Sequence, residues 1–149
     1  MTTAATVRSV VPRDFAQWQP LWEGYNTFYE RTLASHITQM TWSRFFDAYG
    51  PVHAMVAERN GELVCLVHYI FHRNTTMIGP TCYLQDLFTD STARGTGVGR
   101  ALIEAVYARA EAAGSTRVYW MTHETNLTAM KLYDKVATRS GFVQYRREI

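Results

Sequence analysis

Tyr83-Leu84-Gln85-Asp86-Leu87-Phe88, then five further residues, then Arg94-Gly95-Thr96-Gly97-Val98-Gly99, is the stretch on which the fold turns. Cys82 to Phe88 is an apolar run entered through Gly79-Pro80, which predicts a strand. From Val98 onward apolar residues at 98, 101, 102, 105 and 106 mark one face of a helix that Gly114 ends at its C′ position. A glycine loop therefore joins a strand to a helix. Glycines there let backbone approach a ligand, and the unpaired N–H groups of the helix start carry about half a positive charge. Such a terminus suits a pyrophosphate, with Arg94 or Arg100 as side-chain help.

Several nucleotides would fit that loop. A P-loop does not, because Gly-Lys-Ser/Thr is missing and no Lys occurs before Lys131. A dinucleotide-binding fold would use Glu124 as its ribose-binding acid, but only 25 residues follow it, too few to complete such a sheet.

Upstream, Val7 to Val11 predicts a short strand closed by Pro12. Asp14 opens a helical stretch in which Phe15, Trp18, Trp22, Tyr25 and Tyr29 share one face, with Pro20 starting or kinking the main helix. A second helix is predicted from Thr41 through Tyr49, stopped by Gly50-Pro51. His53–Glu58 and Leu63–Phe71 flank Asn60-Gly61, the signature of a type I′ hairpin. Downstream come a strand at Arg117–Met121, a helix capped by Asn126 and ending near Gly141, and a closing strand at Phe142–Tyr145.

The 149 residues, 47% apolar and 13% aromatic, are enough for one core, so residues 1–149 are read as a single mixed α/β domain. Fifteen basic and thirteen acidic residues are dispersed without a basic run, which argues against nucleic acid as a partner. No window reaches the roughly 18 apolar residues of a membrane helix, and the start lacks the regions of a signal peptide; the expected location is the cytoplasm. Cys65 and Cys82 form no metal-ligand pattern and read as buried thiols, so no metal is expected.

Taken together, Tyr83 to Phe88 and Arg94 to Gly99 resemble the acetyl-CoA signature of GCN5-related N-acetyltransferases. Asn126-Leu127-Thr128-Ala129-Met130-Lys131-Leu132-Tyr133 followed by Ser140-Gly141-Phe142 resembles that family's second motif. The order of elements agrees over nearly the whole chain. The resemblance implies a central mixed, mostly antiparallel sheet of six to seven strands flanked by about four helices. It implies acetyl-CoA as co-substrate, with pantetheine on the Leu87 and Thr89 amides beside Phe88. The pyrophosphate would then rest on amides from Gly95 to Arg100, through Thr96, Gly97, Val98 and Gly99, and Asn126 would touch the pantetheine arm.

Acetylation of an amine needs a base, an oxyanion donor and an acid for the leaving thiolate. An alkylamine of pKa about 10.4 is mostly protonated at neutral pH. Asp86 is the nearest candidate to take its proton; Glu30, Glu124 and His123 are the others. Asp86 equally suits a structural carboxylate that holds the strand's bulge. Relatives acting on polyamines carry Glu-Asp where this chain has Gln85-Asp86. Tyr133, a phenol of pKa about 10, matches the family position that protonates the thiolate. The Leu87 N–H would meet the oxyanion. Tyr25, Tyr29, Glu30 and His36, with Gln85, would wall the acceptor site, for which the competing reading is an aromatic core face. Leu21 to Tyr29 and Trp120 to Asn126 resemble a branch that includes yeast enzymes acting on histones, polyamines or D-amino acids. The resemblance and the aromatic content together lead to the expectation of a homodimer acting on a small amine, an amino acid or a lysine-like acceptor. Two other classes stay open: a non-catalytic acetyl-CoA sensor, against which Tyr133 speaks, and a dinucleotide-binding fragment, against which the short tail speaks.

Overall fold

A computed structural model describes residues 4–149. Its five strands form one mixed sheet in the order β1 (Thr6–Ser9), β2 (Val52–Arg59), β3 (Glu62–His72), β4 (Thr81–Thr89) and β5 (Val118–Tyr119). The first four pair antiparallel, and β5 runs parallel to β4. The helices are α1 (Phe15–Phe28), α2 (Ser35–Arg44), α3 (Val98–Ala112) and α4 (Leu127–Val136).

The β2–β3 hairpin turns on Asn60 and Gly61, with φ of 54° and 78°, the two positive values a type I′ turn requires. Helix α3 crosses over between the parallel strands β4 and β5. It ends in a Schellman motif: Ser115 N–H donates to Ala110 O at 2.9 Å and Gly114 N–H to Glu111 O at 3.0 Å, with Gly114 at φ 80°. Pro20 neither starts nor breaks α1. It lies inside the helix, and the carbonyl of exposed Ala16, which its missing N–H leaves unpaired, can meet water.

The sheet buries both faces. On one, α3 lays Leu102, Ile103 and Val106 over Met55, Cys65, Val67, Cys82 and Leu84. On the other, α1 and α2 lay Trp18, Leu21, Trp22 and Tyr25, with Trp42 and Phe45, over Val56, Leu63 and Leu66. Before α1 a half-buried ion pair pins the chain's entry: Arg8 binds the buried Asp14 at 2.7 and 3.0 Å, and Asp14 also accepts from Val11 N–H at 2.8 Å.

Three expectations change. The sheet has five strands and not six to seven, because residues 137–149 form no strand. After Tyr119 the chain leaves the sheet, so β5 offers only a two-residue edge to a closing strand. Phe142, Val143 and Tyr145 accordingly stand 91, 77 and 94% exposed. The second helix begins at Ser35, and Thr41 lies inside it. Its register is set by Thr38, Trp42 and Phe45 meeting the tryptophans of α1, with Trp22 Nε1 donating to Thr38 Oγ1 at 3.3 Å. β1 ends at Ser9, because Pro12–Asp14 already form a 3-10 turn.

Candidate functional site

β4 changes phase halfway along. Its pairing with β3 shifts between His68↔Asp86 and Tyr69↔Leu84, which leaves Gln85 as an extra, bulged residue. Cys82, Leu84 and Leu87 therefore point to the α3 face, while Asp86 and Phe88 point to the α1 face. Without the bulge Asp86 would continue the Cys82–Leu84 row into an aliphatic core. With it, the buried Asp86 carboxylate meets His68 Nδ1 at 2.9 Å, and His68 Nε2 accepts from Trp18 Nε1 at 3.0 Å.

The bulge also sets where the main-chain donors point. β5 pairs β4 only at Cys82 and Tyr83, so beyond Tyr83 the β5 side of β4 is open among the described residues. Asp90 N–H donates to Val64 O at 2.8 Å. Antiparallel pairs alternate, so the 66/88 pair is hydrogen-bonded and the 65/89 and 67/87 pairs are not. The N–H groups of Leu87 and Thr89 consequently face the open side, two donors about 7 Å apart along the strand.

The glycine loop follows directly. Asp90 accepts from Thr92 N–H at 3.0 Å, and Thr96 Oγ1 donates to Ala93 O, which together fold the chain back. Gly95 and Gly97 have φ of 75° and 88°, and a Cβ on either would meet nothing within 4 Å. Space therefore stands over the loop, and glycine is needed there for its left-handed backbone. Gly97 O accepts the first α3 bond, from Ala101 N–H at 3.0 Å. The N–H groups of Val98, Gly99 and Arg100 thus have no helical acceptor. Arg94 reaches back, its Nε 3.3 Å from Thr89 O and its guanidinium 5.9 Å from the Phe88 ring. Arg100 pairs with Glu104 at 3.0 Å.

The end of α1 supplies the aromatic wall. Tyr25 stacks on Trp22 and meets Tyr29 edge-on, centroids 5.0 Å apart, and its hydroxyl lies 3.5 Å from Gln85 O. Burial and then the Asp86 charge push the Tyr25 phenol up, so it remains a donor. The Tyr29 oxygen lies close enough to raise Tyr25, Tyr83 and Tyr133 alike. Burial first, then Tyr29, pushes Tyr133 up to about 12, and the ring packs edge-on against Trp120 at 5.5 Å.

Other expected residues are placed differently. The Gln85 side chain is exposed, and its contribution is the carbonyl that Tyr25 reaches. Glu30 occupies the C′ position of α1 at φ 56°, with Glu30 N–H on Thr27 O and Arg31 N–H on Asn26 O, a glycine's place taken by a glutamate. His36 is exposed on the first turn of α2, and His123 and Glu124 are exposed in the loop before α4. Asn126 does not cap α4 with its side chain; its Nδ2 donates to Thr122 Oγ1 at 3.1 Å.

A bulged strand with a free edge, leading into a glycine loop and an open helix start, fits a family model, that of the acetyltransferase (GNAT) family, over residues 17–137. The chain belongs to the GNAT family. It is 34% identical over 143 residues to the D-amino-acid N-acetyltransferase HPA3 of Saccharomyces cerevisiae, covering 95% of this chain and 89% of that one. Solved structures share the fold. They include a ribosomal-protein-alanine N-acetyltransferase from Brucella melitensis (18% identity, TM-score 0.83, 98 and 99% of the two chains). The aminoglycoside N-acetyltransferase AAC(6')-Iy in complex with CoA is another (15%, 0.85, 99 and 97%). The chain is thus a GNAT N-acetyltransferase with acetyl-CoA as co-substrate. No described helix of this GNAT chain is long and apolar enough to cross a membrane.

Three site residues escaped the sequence reading. His68 sits in the apolar run of β3, where only its period-two match to Leu66 hints at the α1 face. Trp18 read as core. Arg31 follows the positive-φ Glu30, and its guanidinium stands 5.4 and 5.2 Å from the Tyr25 and Tyr29 rings.

Proposed function

We propose that residues 1–149 are a single N-acetyltransferase domain that moves acetyl from acetyl-CoA to the amino group of a D-amino acid, by direct transfer in a ternary complex. The observation that carries the acceptor is the 34% identity, end to end, with a yeast enzyme named for D-amino acids. Arg31 supports it: a guanidinium with no carboxylate partner among the described residues stands against two tyrosine rings at the site's edge and suits an amino-acid carboxylate.

In this reading the Leu87 and Thr89 amides take the pantetheine arm beside Phe88, with Asn126 across from them. Amides from Gly95 to Arg100 take the pyrophosphate, helped by Arg94 and Arg100. Tyr25, Tyr29, Glu30 and the Gln85 bulge border the acceptor. Asp86 accepts a proton from the amine as nitrogen attacks the thioester carbon. The Leu87 N–H meets the developing oxyanion. As the carbon–sulfur bond breaks, the thiolate takes a proton from Tyr133, a phenol whose raised pKa of about 12 keeps it protonated until then.

The enzyme is further proposed to be a cytoplasmic homodimer. Cys65 and Cys82 are buried free thiols, in keeping with a reducing compartment. The exposed side chains of Phe142, Val143 and Tyr145 give a second copy an apolar segment to cover. A chain truncated after Ser140 is then expected to sediment as a monomer where the full chain sediments as a dimer.

The function is tested by thiol release from acetyl-CoA with D- and L-amino acids, polyamines and lysine peptides. D-amino acids are expected to turn over fastest, and Arg31→Met to raise their KM about tenfold or more while leaving that of acetyl-CoA alone.

A further inference from the structure

We infer that His68 and Trp18 are positioning residues for the Asp86 base: Trp18 fixes the imidazole tautomer, and the imidazole holds one oxygen of the carboxylate so that the other is left for the amine proton. The inference rests on the reading of Asp86 as base given above.

The donor logic leaves one arrangement. An indole N–H only donates, so His68 Nε2, 3.0 Å from Trp18 Nε1, must be the accepting nitrogen. The ring proton of the neutral imidazole then sits on Nδ1 and donates to Asp86 Oδ2 at 2.9 Å. All three side chains are buried, Trp18 completely, and Trp22, Trp42 and Phe45 pack around Trp18 and His68 so that neither ring can turn.

The chain joins three elements, α1, β3 and β4, at the bulge. It exists because the phase change at Gln85 brings Asp86 onto the His68 face; a regular β4 continuing the Tyr69–Leu84 pairing would set Gln85 opposite His68. The other titratable or charged groups near the carboxylate are Tyr25 of α1 and Tyr83 of β4, with Tyr29 and Arg31 next to Tyr25. The Tyr25 hydroxyl also reaches Asp86, and the imidazole N–H is the donor on Oδ2, at 2.9 Å. Oδ2 is held by it, which leaves Oδ1 to accept the proton as the N–C bond forms.

Long-range 1H–15N spectra of the full-length protein read the tautomer directly, with no dependence on activity. The proton is expected on Nδ1 of His68 at neutral pH, and the fixed tautomer is expected to be lost in Trp18→Phe. A proton on Nε2 in the wild type overturns the inference.

Kinetics supply the second readout. Removing the donor in His68→Leu should lower kcat about tenfold or more, because nothing then holds the carboxylate by Oδ2. The acetyl-CoA KM should stay put. His68→Asn, whose Nδ2 can donate from nearly the same place, should restore most of the rate. If His68→Leu is too unstable to assay, the tautomer and the His68→Asn rate still decide. Should Asp86→Asn cost little activity, the base assignment itself is wrong and this inference goes with it. Should Asp86→Asn be crippled while His68→Leu keeps the wild-type rate, the base stands and only the positioning role is overturned.

Discussion

The two faces of one sheet have been built from different chemistry. Under α3 the buried side chains are mainly aliphatic or thiol, Cys65, Val67, Cys82, Leu84, Leu102, Ile103 and Val106, with Tyr69 buried among them and Trp120 and Tyr133 packed against the cluster. Under α1 they are aromatic, with a histidine and a carboxylate among them. The α3 face mainly excludes water, and the one functional side chain packed against it is Tyr133, edge-on to Trp120. The aromatic face holds Asp86 dry yet paired, because indole and phenol groups pack like hydrocarbons and still donate hydrogen bonds. A single bulged residue decides to which face the carboxylate goes.

The largest effect should come from breaking the aliphatic face. Leu102→Ala is expected to cost about 3 kcal/mol of stability in urea unfolding, with kcat/KM of the folded fraction unchanged. On the aromatic face the loss should appear in rate. Asp86→Asn there, and Tyr133→Phe beside the α3 cluster, should each lower kcat about a hundredfold while acetyl-CoA still binds.

The seam between α1 and β4 sharpens the contrast further. A Cβ on Gly24 would lie 2.9 Å from the Phe88 ring, so Gly24→Ala must displace that ring. Its helix propensity gain, about 1 kcal/mol, offsets the contact, and acetyl-CoA KM should rise more than stability falls.

The aliphatic face also has a pH signature. Burial pushes the Cys65 thiol up to about 12 and Cys82 up to about 11. Their folded pKa values exceed the unfolded ones, so their contribution is complete below about pH 9 and is lost as pH rises toward 11 to 12. Unfolding free energy should decline across that range, and Cys82→Ala should flatten the decline. The smallest effect is expected at Glu30. Glu30→Gly relieves a left-handed backbone and should gain about 0.5 kcal/mol or stay neutral by thermal melting, while weakening turnover if the carboxylate serves the acceptor.

What could be read from the sequence follows from how local each signal is. Asn60-Gly61, the Gly95–Gly99 loop and Gly114 each fix backbone within a few residues, so the hairpin and α3 were legible. The bulge at Gln85 was not, since it is defined by register against β3, and neither was the partnership of Trp18, His68 and Asp86, which lie 50 and 18 residues apart in the chain. The missing closing strand fails for the opposite reason. Phe142–Tyr145 has strand-like composition, but whether it pairs depends on an edge that β5 is too short to supply.

The most direct test is thiol release from acetyl-CoA with D- and L-amino acids, comparing the wild type with Asp86→Asn. Turnover that favours the D-enantiomers and falls about a hundredfold in the variant is the predicted result. Equal turnover in the two proteins, or none on any amino acid although acetyl-CoA binds, would contradict the account.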